Sequence, residues 1–159
     1  IMTANEQLIT QFYTAFQQKD FKTMQNSYAD NAIFNDAVFS NLNATEVRAM
    51  WQMLISRGAD MKLSFGDVKQ SGDQVTAYWE AHYTFTATGK KVVNKINAQF
   101  QINNGKIVKH TDNFDFYKWA KQAFGFGGFI LGWTNAFKGK VRQTAKKKLD
   151  DYLQKTNLQ

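Results

Sequence analysis

Between residues 61 and 117 the sequence contains four segments typical of β-strands, joined only by short turns. The turns carry Gly72, Gly89 and Gly105, and the Asn-Gly pair at Gly105 is a strong hairpin signal. Because short turns join antiparallel neighbours, we expect one antiparallel sheet. Its predicted strands are Met61–Gln70, Gln74–Thr86, Lys91–Asn103 and Lys106–Tyr117.

The two faces of this predicted sheet differ in polarity. A strand places alternate side chains on opposite faces, so Trp79 and Tyr83 share one face while Glu80 and His82 share the other. The third strand repeats this alternation. One face is therefore predicted to be covered by helices, and the other to meet solvent or a second copy of the chain.

Three helices are predicted before the sheet. The first spans residues 3 to 18, with Thr3 and Glu6 as a capping box. Asp20 caps a short second helix, and Asn43 or Thr45 begins a third that ends at Arg57. Helices followed by a long antiparallel sheet indicate an α+β fold.

The last predicted strand carries the first candidate for chemistry. His110, Asp112 and Phe114 share one face, because they are two residues apart. If this face lines an apolar cavity, His110 and Asp112 are desolvated and suited to acid–base catalysis. If it meets solvent, they are ordinary surface residues, and the pattern leaves both interpretations open.

Asp36 is the second candidate. It follows a predicted turn at Asp30 and Asn31 and a short strand, and it is flanked by Ala37 and Val38. Apolar surroundings raise the pKa of a carboxylic acid, which suits a general base.

Composition and charge exclude several classes of function. The chain has no Cys, which excludes thiolate chemistry, and we expect neither a metal site nor a cofactor. The net charge is +7, but residues from Lys138 onward hold seven Lys or Arg against two Asp. Because the basic excess is confined to one terminal element, we expect no nucleic-acid binding. No segment resembles a membrane span or signal peptide, so we expect a cytoplasmic protein.

The C-terminal part is unusual. Residues 124–133 combine glycines with large apolar residues, so we expect a flexible segment there, and we expect Phe126 to Trp133 to cover the mouth of a cavity. Thr134 or Asn135 then begins a final helix, which we expect to dock through Phe137, Val141 and Leu149. A helix docked with a solvated basic face is the first interpretation, and an amphipathic membrane-surface helix is the alternative.

Several segments carry a resemblance to a known family. They are residues 12–16 with 19–21, residues 28–36, and residues 105–112, within a stretch from about Glu6 to Tyr117. The chain resembles the ketosteroid isomerase and SnoaL-like polyketide cyclase group of the nuclear transport factor 2-like superfamily. The resemblance implies a cystatin-like conical half-barrel, with helices packed on a curved sheet, in one domain. Its core would span about residues 4–117, with a C-terminal capping extension over residues 118–159.

The resemblance also implies site residues. Asp36 falls where the steroid isomerases keep their proton-shuttling carboxylate, while His110 with Asp112 resembles the arrangement of the cyclases. The two oxyanion donors of the isomerases correspond to Phe12 and Ala98, which cannot donate. The related limonene-epoxide hydrolases use a set of two Asp and one Arg. In this chain Asp36 and Asp112 would supply the two acids, and Arg48 or Arg57 would supply the Arg.

Two functions therefore remain open. In the first, an enzyme uses Asp36, His110 and Asp112 for proton transfer on a small hydrophobic molecule, as an isomerase, cyclase or hydrolase. In the second, the protein is not catalytic and its cavity binds an apolar ligand. One form of this second hypothesis places the protein at a membrane surface. A homodimer is implied by the resemblance. The residues expected to contact the ligand are Tyr13, Trp51, Trp79, Tyr83, Phe100 and Phe114.

Overall fold

The computed structural model of the chain describes residues 1–156. Its helices are α1 (Ala4–Gln17), α2 (Phe21–Asn26), α3 (Ala44–Arg57), α4 (Phe116–Phe124), α5 (Phe126–Leu131) and α6 (Asn135–Thr156). Its strands are β1 (Tyr28–Asn35), β2 (Lys62–Ser71), β3 (Gln74–Phe85), β4 (Lys90–Asn103) and β5 (Lys106–Asn113). The predicted α+β class, with N-terminal helices, a curved sheet and a C-terminal helix, is confirmed. Residues 157–159 of the predicted extension lie outside the described part.

The first three helices begin where the sequence predicts. Thr3 and Glu6 form a complete capping box on α1. Asn43 and Glu46 form another on α3, and Asp20 accepts a hydrogen bond from the Thr23 amide at the start of α2. Each cap satisfies backbone amides that would otherwise lack partners, which fixes where the helix starts.

The strand order in the sheet is β1-β5-β4-β3-β2. The four strands predicted from residue 61 onward pair with one another in antiparallel orientation, as expected. Strand β1 adds to the edge of the sheet, parallel to β5. The β1 register shifts between Tyr28 and Ile33. Asp30 and Asn31 lie in this irregular stretch inside β1, so the prediction of a turn there is wrong.

One sheet face is covered by helices α1 and α3. Phe100 pairs with Val75 on β3 and with His110 on β5, which places Trp79, Phe100 and His110 on the same buried face. This agrees with the predicted face assignment. His82 lies on the opposite, exposed face beside Glu80.

The C-terminal part differs from the sequence-based prediction in two ways. The strand β5 ends at Asn113, because the Asp115 side chain caps α4 by accepting from the Lys118 amide. The Gly-rich segment forms the short helix α5 instead of an irregular loop. Thr134 caps α6 as expected, since its hydroxyl accepts from the Phe137 amide.

Helix α6 is docked on the body of the protein. Leu149 is fully buried in the main core. Phe137 and Val141 pack against a second apolar cluster, which is built on α4 and β4. The predicted docking residues are confirmed. Within residues 1–156, none of the helices has both the length and the apolar character needed to span a membrane.

Candidate functional site

A cavity of about 460 Å³ opens between α3, the covered face of the sheet, α4 and α6. Its wall is mostly apolar, which suits a small hydrophobic ligand. The apolar lining residues include Phe16, Val38, Phe39, Met50, Trp51, Met53, Leu54, Trp79, Ile96, Phe114 and Trp119. The polar lining residues include Asp36, Arg57, Tyr83, Thr84, Asn94, Asp112 and Lys148.

Asp36 follows the end of β1 and lines the cavity. Its Oδ1 accepts hydrogen bonds from the backbone amides of Val38 and Phe39, both at 2.7 Å. Burial raises the pKa of Asp36 from 3.8 to about 6, although these two hydrogen bonds lower it. The charge of Asp112 raises this pKa further. Asp36 is therefore a carboxyl group that can both take up and release a proton near neutral pH.

Asp112 is the second carboxyl group at the cavity, and a buried chain of hydrogen bonds holds it. Asp112 Oδ1 lies 2.9 Å from His110 Nε2. His110 Nδ1 lies 2.8 Å from the Tyr28 hydroxyl, which accepts from Trp51 Nε1 at 2.9 Å. All four side chains are at least nine-tenths buried.

The available donors and acceptors indicate the direction of this chain. An indole N–H only donates, so the Tyr28 oxygen accepts from Trp51, and within residues 1–156 His110 Nδ1 is the acceptor in reach of the Tyr28 proton. With Nδ1 as the acceptor, Nε2 is the ring nitrogen that carries a proton and donates it to Asp112. Burial raises the pKa of Tyr28 well above its usual value, so the hydroxyl keeps its proton. The result is a single directed chain, Trp51 to Tyr28 to His110 to Asp112.

A second indole orients another hydroxyl of the cavity wall. Trp119 Nε1 donates to the Tyr83 hydroxyl at 2.7 Å. Because the Tyr83 oxygen accepts there, its own proton can be donated to a ligand in the cavity. Burial raises the pKa of Tyr83, which keeps the hydroxyl protonated.

The sequence-predicted residues occupy three different places. Asp36 and Asp112 line the cavity, as do Trp51, Trp79, Tyr83 and Phe114. His110 lies behind Asp112 and reaches the cavity only through it. Tyr13 and Phe100 are fully buried in the core and do not line the cavity. Tyr13 packs against Phe100, which in turn packs against His110.

Structural reasons explain the residues that the sequence analysis missed. Tyr28 meets His110 only because β1 pairs in parallel with β5, a long-range contact with no local signal. Trp119 enters the wall only because α4 folds back over the sheet. Asn94 lies two residues from Val92 and two from Ile96 on β4. The period of two in a strand therefore places Asn94 on the covered face with these apolar residues.

The two candidate arginines are separated by the structure. Arg57 lines the cavity, whereas Arg48 donates to the Tyr28 carbonyl and to Asp30 at the outer side of α3. Phe12 and Ala98, which by the resemblance correspond to the two oxyanion donors of the isomerases, are buried and apolar. Among residues 1–156 no group of three or more His, Asp or Glu side chains could hold a metal ion.

Comparison with known protein families identifies one family whose model matches this chain. Residues 9–110 match the SnoaL-like domain. The chain belongs to the SnoaL-like family. This match covers more than half of the sequence and includes the second half of α1, Asp36 and His110, so the resemblance noted in the sequence is confirmed. Asp112 lies just beyond the matched SnoaL-like region. No protein with a curated description matches the sequence.

Solved structures share the SnoaL-like fold at low sequence identity. A nuclear transport factor 2-like protein of unknown function from Burkholderia pseudomallei is 19% identical, with a TM-score of 0.67 over 77% of this chain and 98% of that one. A limonene-epoxide-hydrolase-like epoxide hydrolase from M. tuberculosis is 17% identical, with a TM-score of 0.64 over 80% and 92%. The candidate polyketide cyclase IdmH from Streptomyces antibioticus is 21% identical, with a TM-score of 0.63 over 74% and 96%. At these identities the comparison establishes the fold alone.

Proposed function

We propose that this SnoaL-like protein is an enzyme that transfers protons on a small hydrophobic substrate, as an isomerase, cyclase or hydrolase. The observation that carries the proposal is a pair of carboxyl groups, Asp36 and Asp112, in different environments at one apolar cavity. Two carboxyl groups held by different hydrogen-bond partners can provide a base and an acid or anchor for one reaction.

Asp36 is the proposed proton-transfer group. With a pKa of about 6, it is mostly ionised at pH 7 and remains basic enough to accept a proton from an activated carbon or a water molecule. The Val38 and Phe39 amides hold Oδ1, and no hydrogen bond from residues 1–156 reaches Oδ2. Oδ2 is therefore the atom that we expect to take the proton.

Asp112 is the proposed second polar contact for the substrate. His110 donates to one of its oxygens and fixes the carboxylate plane, while Tyr28 and Trp51 fix the imidazole. His110 does not line the cavity, so we assign it a positioning role behind Asp112. Tyr83 supplies a neutral donor for an oxygen atom of the substrate.

The substrate class follows from the lining. Aromatic and aliphatic side chains dominate the wall, while Arg57 and Lys148 supply positive charge at exposed positions on α3 and α6. This arrangement fits an apolar molecule with one acidic or strongly polar end. The epoxide hydrolase and candidate cyclase among the structural neighbours are consistent with chemistry in such a cavity.

Hydrogen–deuterium exchange tests the proposal without knowledge of the natural substrate. The protein is incubated in heavy water with a panel of hydrophobic ketones, enones and 1,3-diketones, and loss of the α-proton signal is followed by NMR. We expect catalysed exchange of at least one compound. The Asp36→Asn substitution keeps the size and the hydrogen bonds of the side chain but removes the base, so the rate should fall about 10²- to 10⁴-fold.

Binding is measured separately, by quenching of the fluorescence of Trp51 and Trp79 in the cavity wall. Asp36→Asn should still bind the same compound. The control is Asp73→Asn, an exposed carboxylate beside the turn between β2 and β3, which should leave the exchange rate unchanged. Equal exchange by the parent and Asp36→Asn would refute the general-base role. Binding without exchange across the panel would favour a binding protein for an apolar ligand.

A further inference from the structure

Helix α5 and the residue pair that follows it expose an apolar surface. Phe126 is 79% exposed and Trp133 is 71% exposed. The residues that form this α5 surface are Phe126, Phe129, Ile130, Leu131 and Trp133. None of them lines the cavity, so the expected role of this segment as a cover over the cavity mouth is wrong.

Close packing holds the α5 surface outward. Gly128 approaches the Ala120 carbonyl so closely that a Cβ atom at position 128 would lie only 2.0 Å from its oxygen. A Cβ atom at Gly132 would lie 2.8 Å from the Ala120 side chain. The Tyr117 hydroxyl donates to the Phe129 carbonyl at 2.9 Å. The glycine side of the segment is thus fixed against α4, and the large side chains remain on the solvent side.

Positively charged side chains lie on the elements that flank this apolar surface. From Phe116 to Lys140 the sequence contains four Lys residues and no Asp or Glu. Lys121 lies over the ring of Tyr117, and Lys138 lies over the ring of Phe116. The Lys90 ammonium lies near Gly125, at the start of α5. Among the ion pairs of residues 1–156, none involves Lys90, Lys121 or Lys138.

We infer that the α5 surface docks on an anionic lipid bilayer. Exposed Phe, Ile, Leu and Trp side chains bind at the boundary between headgroups and acyl chains, and nearby lysines are attracted to anionic headgroups. A second copy of the chain would bring the same positive charge to the contact, which opposes self-association there. The docking surface is independent of the proposed reaction, because its residues lie outside the cavity.

Co-sedimentation of the full chain with vesicles tests this inference. The vesicles contain phosphatidylcholine alone, or phosphatidylcholine with roughly a third of phosphatidylglycerol, to match the charge of an anionic leaflet. We expect binding to the anionic vesicles that weakens with added salt. The double substitution Phe129→Ser with Trp133→Ser should lower the partition coefficient about tenfold or more, since affinity scales with buried apolar area. Each substitution Lys121→Gln and Lys138→Gln should lower it about fivefold.

Trp133 provides a site-specific signal, since Trp51, Trp79 and Trp119 are buried. Vesicles that contain brominated lipid should quench the fluorescence of the parent, and Trp133→Ser should remove this quenching. The controls are Ile33→Ser and Lys69→Gln, which change exposed residues of β1 and β2, and both should bind like the parent. Thermal unfolding followed by circular dichroism verifies that each variant is folded.

Two results would overturn the inference. The first is a partition coefficient on anionic vesicles that is no higher than on neutral vesicles, or that is the same for the parent and the Phe129/Trp133 variant. The second is an oligomer in light scattering that the Phe129/Trp133 variant abolishes while vesicle binding is absent, which would assign the surface to contacts between proteins.

Discussion

The raised pKa of Asp36 predicts that the parent loses stability relative to the variant Asp36→Asn as the pH rises towards neutral. A carboxyl group with a pKa of 3.8 in the unfolded chain and about 6 in the folded protein binds its proton more tightly when folded. Its favourable contribution to the free energy of unfolding is complete below pH 3.8 and is lost as the pH rises through about 6. An Asn side chain has no such titration.

The size of this effect follows from the two pKa values. The interval from 3.8 to about 6 corresponds to about 3 kcal/mol over the full titration. Between pH 4.5 and pH 8, the parent should lose about 2 kcal/mol of unfolding free energy relative to Asp36→Asn. This change with pH does not depend on how well the amide oxygen replaces the carboxylate in its bonds to Val38 and Phe39.

Urea denaturation followed by circular dichroism, at several pH values in this range, measures the difference. Asp20→Asn is a control that should show no such change. Hydrogen bonds from Thr23 lower the pKa of Asp20 below 3.8, so its titration lies below the measured range, and the curves of the parent and this variant should be nearly parallel from pH 4.5 to pH 8. Parallel curves for the parent and Asp36→Asn from pH 4.5 to pH 8 would refute the raised pKa, and with it the physical basis of the proton-transfer role.

Three further predictions concern the rest of the molecule. Tyr28→Phe leaves the buried donor of Trp51 and the buried acceptor of His110 without partners, so urea denaturation should show a loss of about 2–3 kcal/mol in unfolding free energy; an unchanged value would contradict the hydrogen-bond chain. Gly128→Ala places a methyl group against the α4 backbone and should lower the melting temperature, whereas Gly139→Ala, which meets nothing within 4 Å in the middle of α6, should stabilise by about 0.5–1 kcal/mol. The family resemblance predicts a homodimer through the exposed polar face of the sheet; light scattering that shows a monomer across a wide concentration range would exclude it.

Local signals in the sequence were sufficient to predict much of the fold. A capping box depends on two residues that are three positions apart, and the capping boxes in the sequence predict where α1 and α3 begin. The alternation of apolar and polar residues along β3 and β4 predicts which sheet face is buried. The short glycine-containing turns predict that these strands are antiparallel. The location of Asp36 and Asp112 at one cavity follows from the family resemblance together with this alternation.

Features that depend on tertiary contacts were not predictable in the same way. Glycine has a low helix propensity, which is why residues 124–133 were expected to be flexible. The structure forms α5 there because Gly128 and Gly132 allow a close approach to α4 that larger residues would prevent. Tyr13 carries a hydroxyl at helical spacing with apolar neighbours, and only the packed structure shows that it lies in the core and not at the cavity wall.

The docking of α6 has a consequence for the order in which the protein is made. A nascent chain that has reached Asn113 contains all five strands, but it lacks Leu149 from the core and Lys148 from the cavity wall. The ion pair between Lys146 and Glu46, at 3.0 Å, likewise joins α6 to a helix made about a hundred residues earlier. The outer surface of α3 therefore stays uncovered on the ribosome until α6 emerges, and the cavity wall is complete only after α6 has been made.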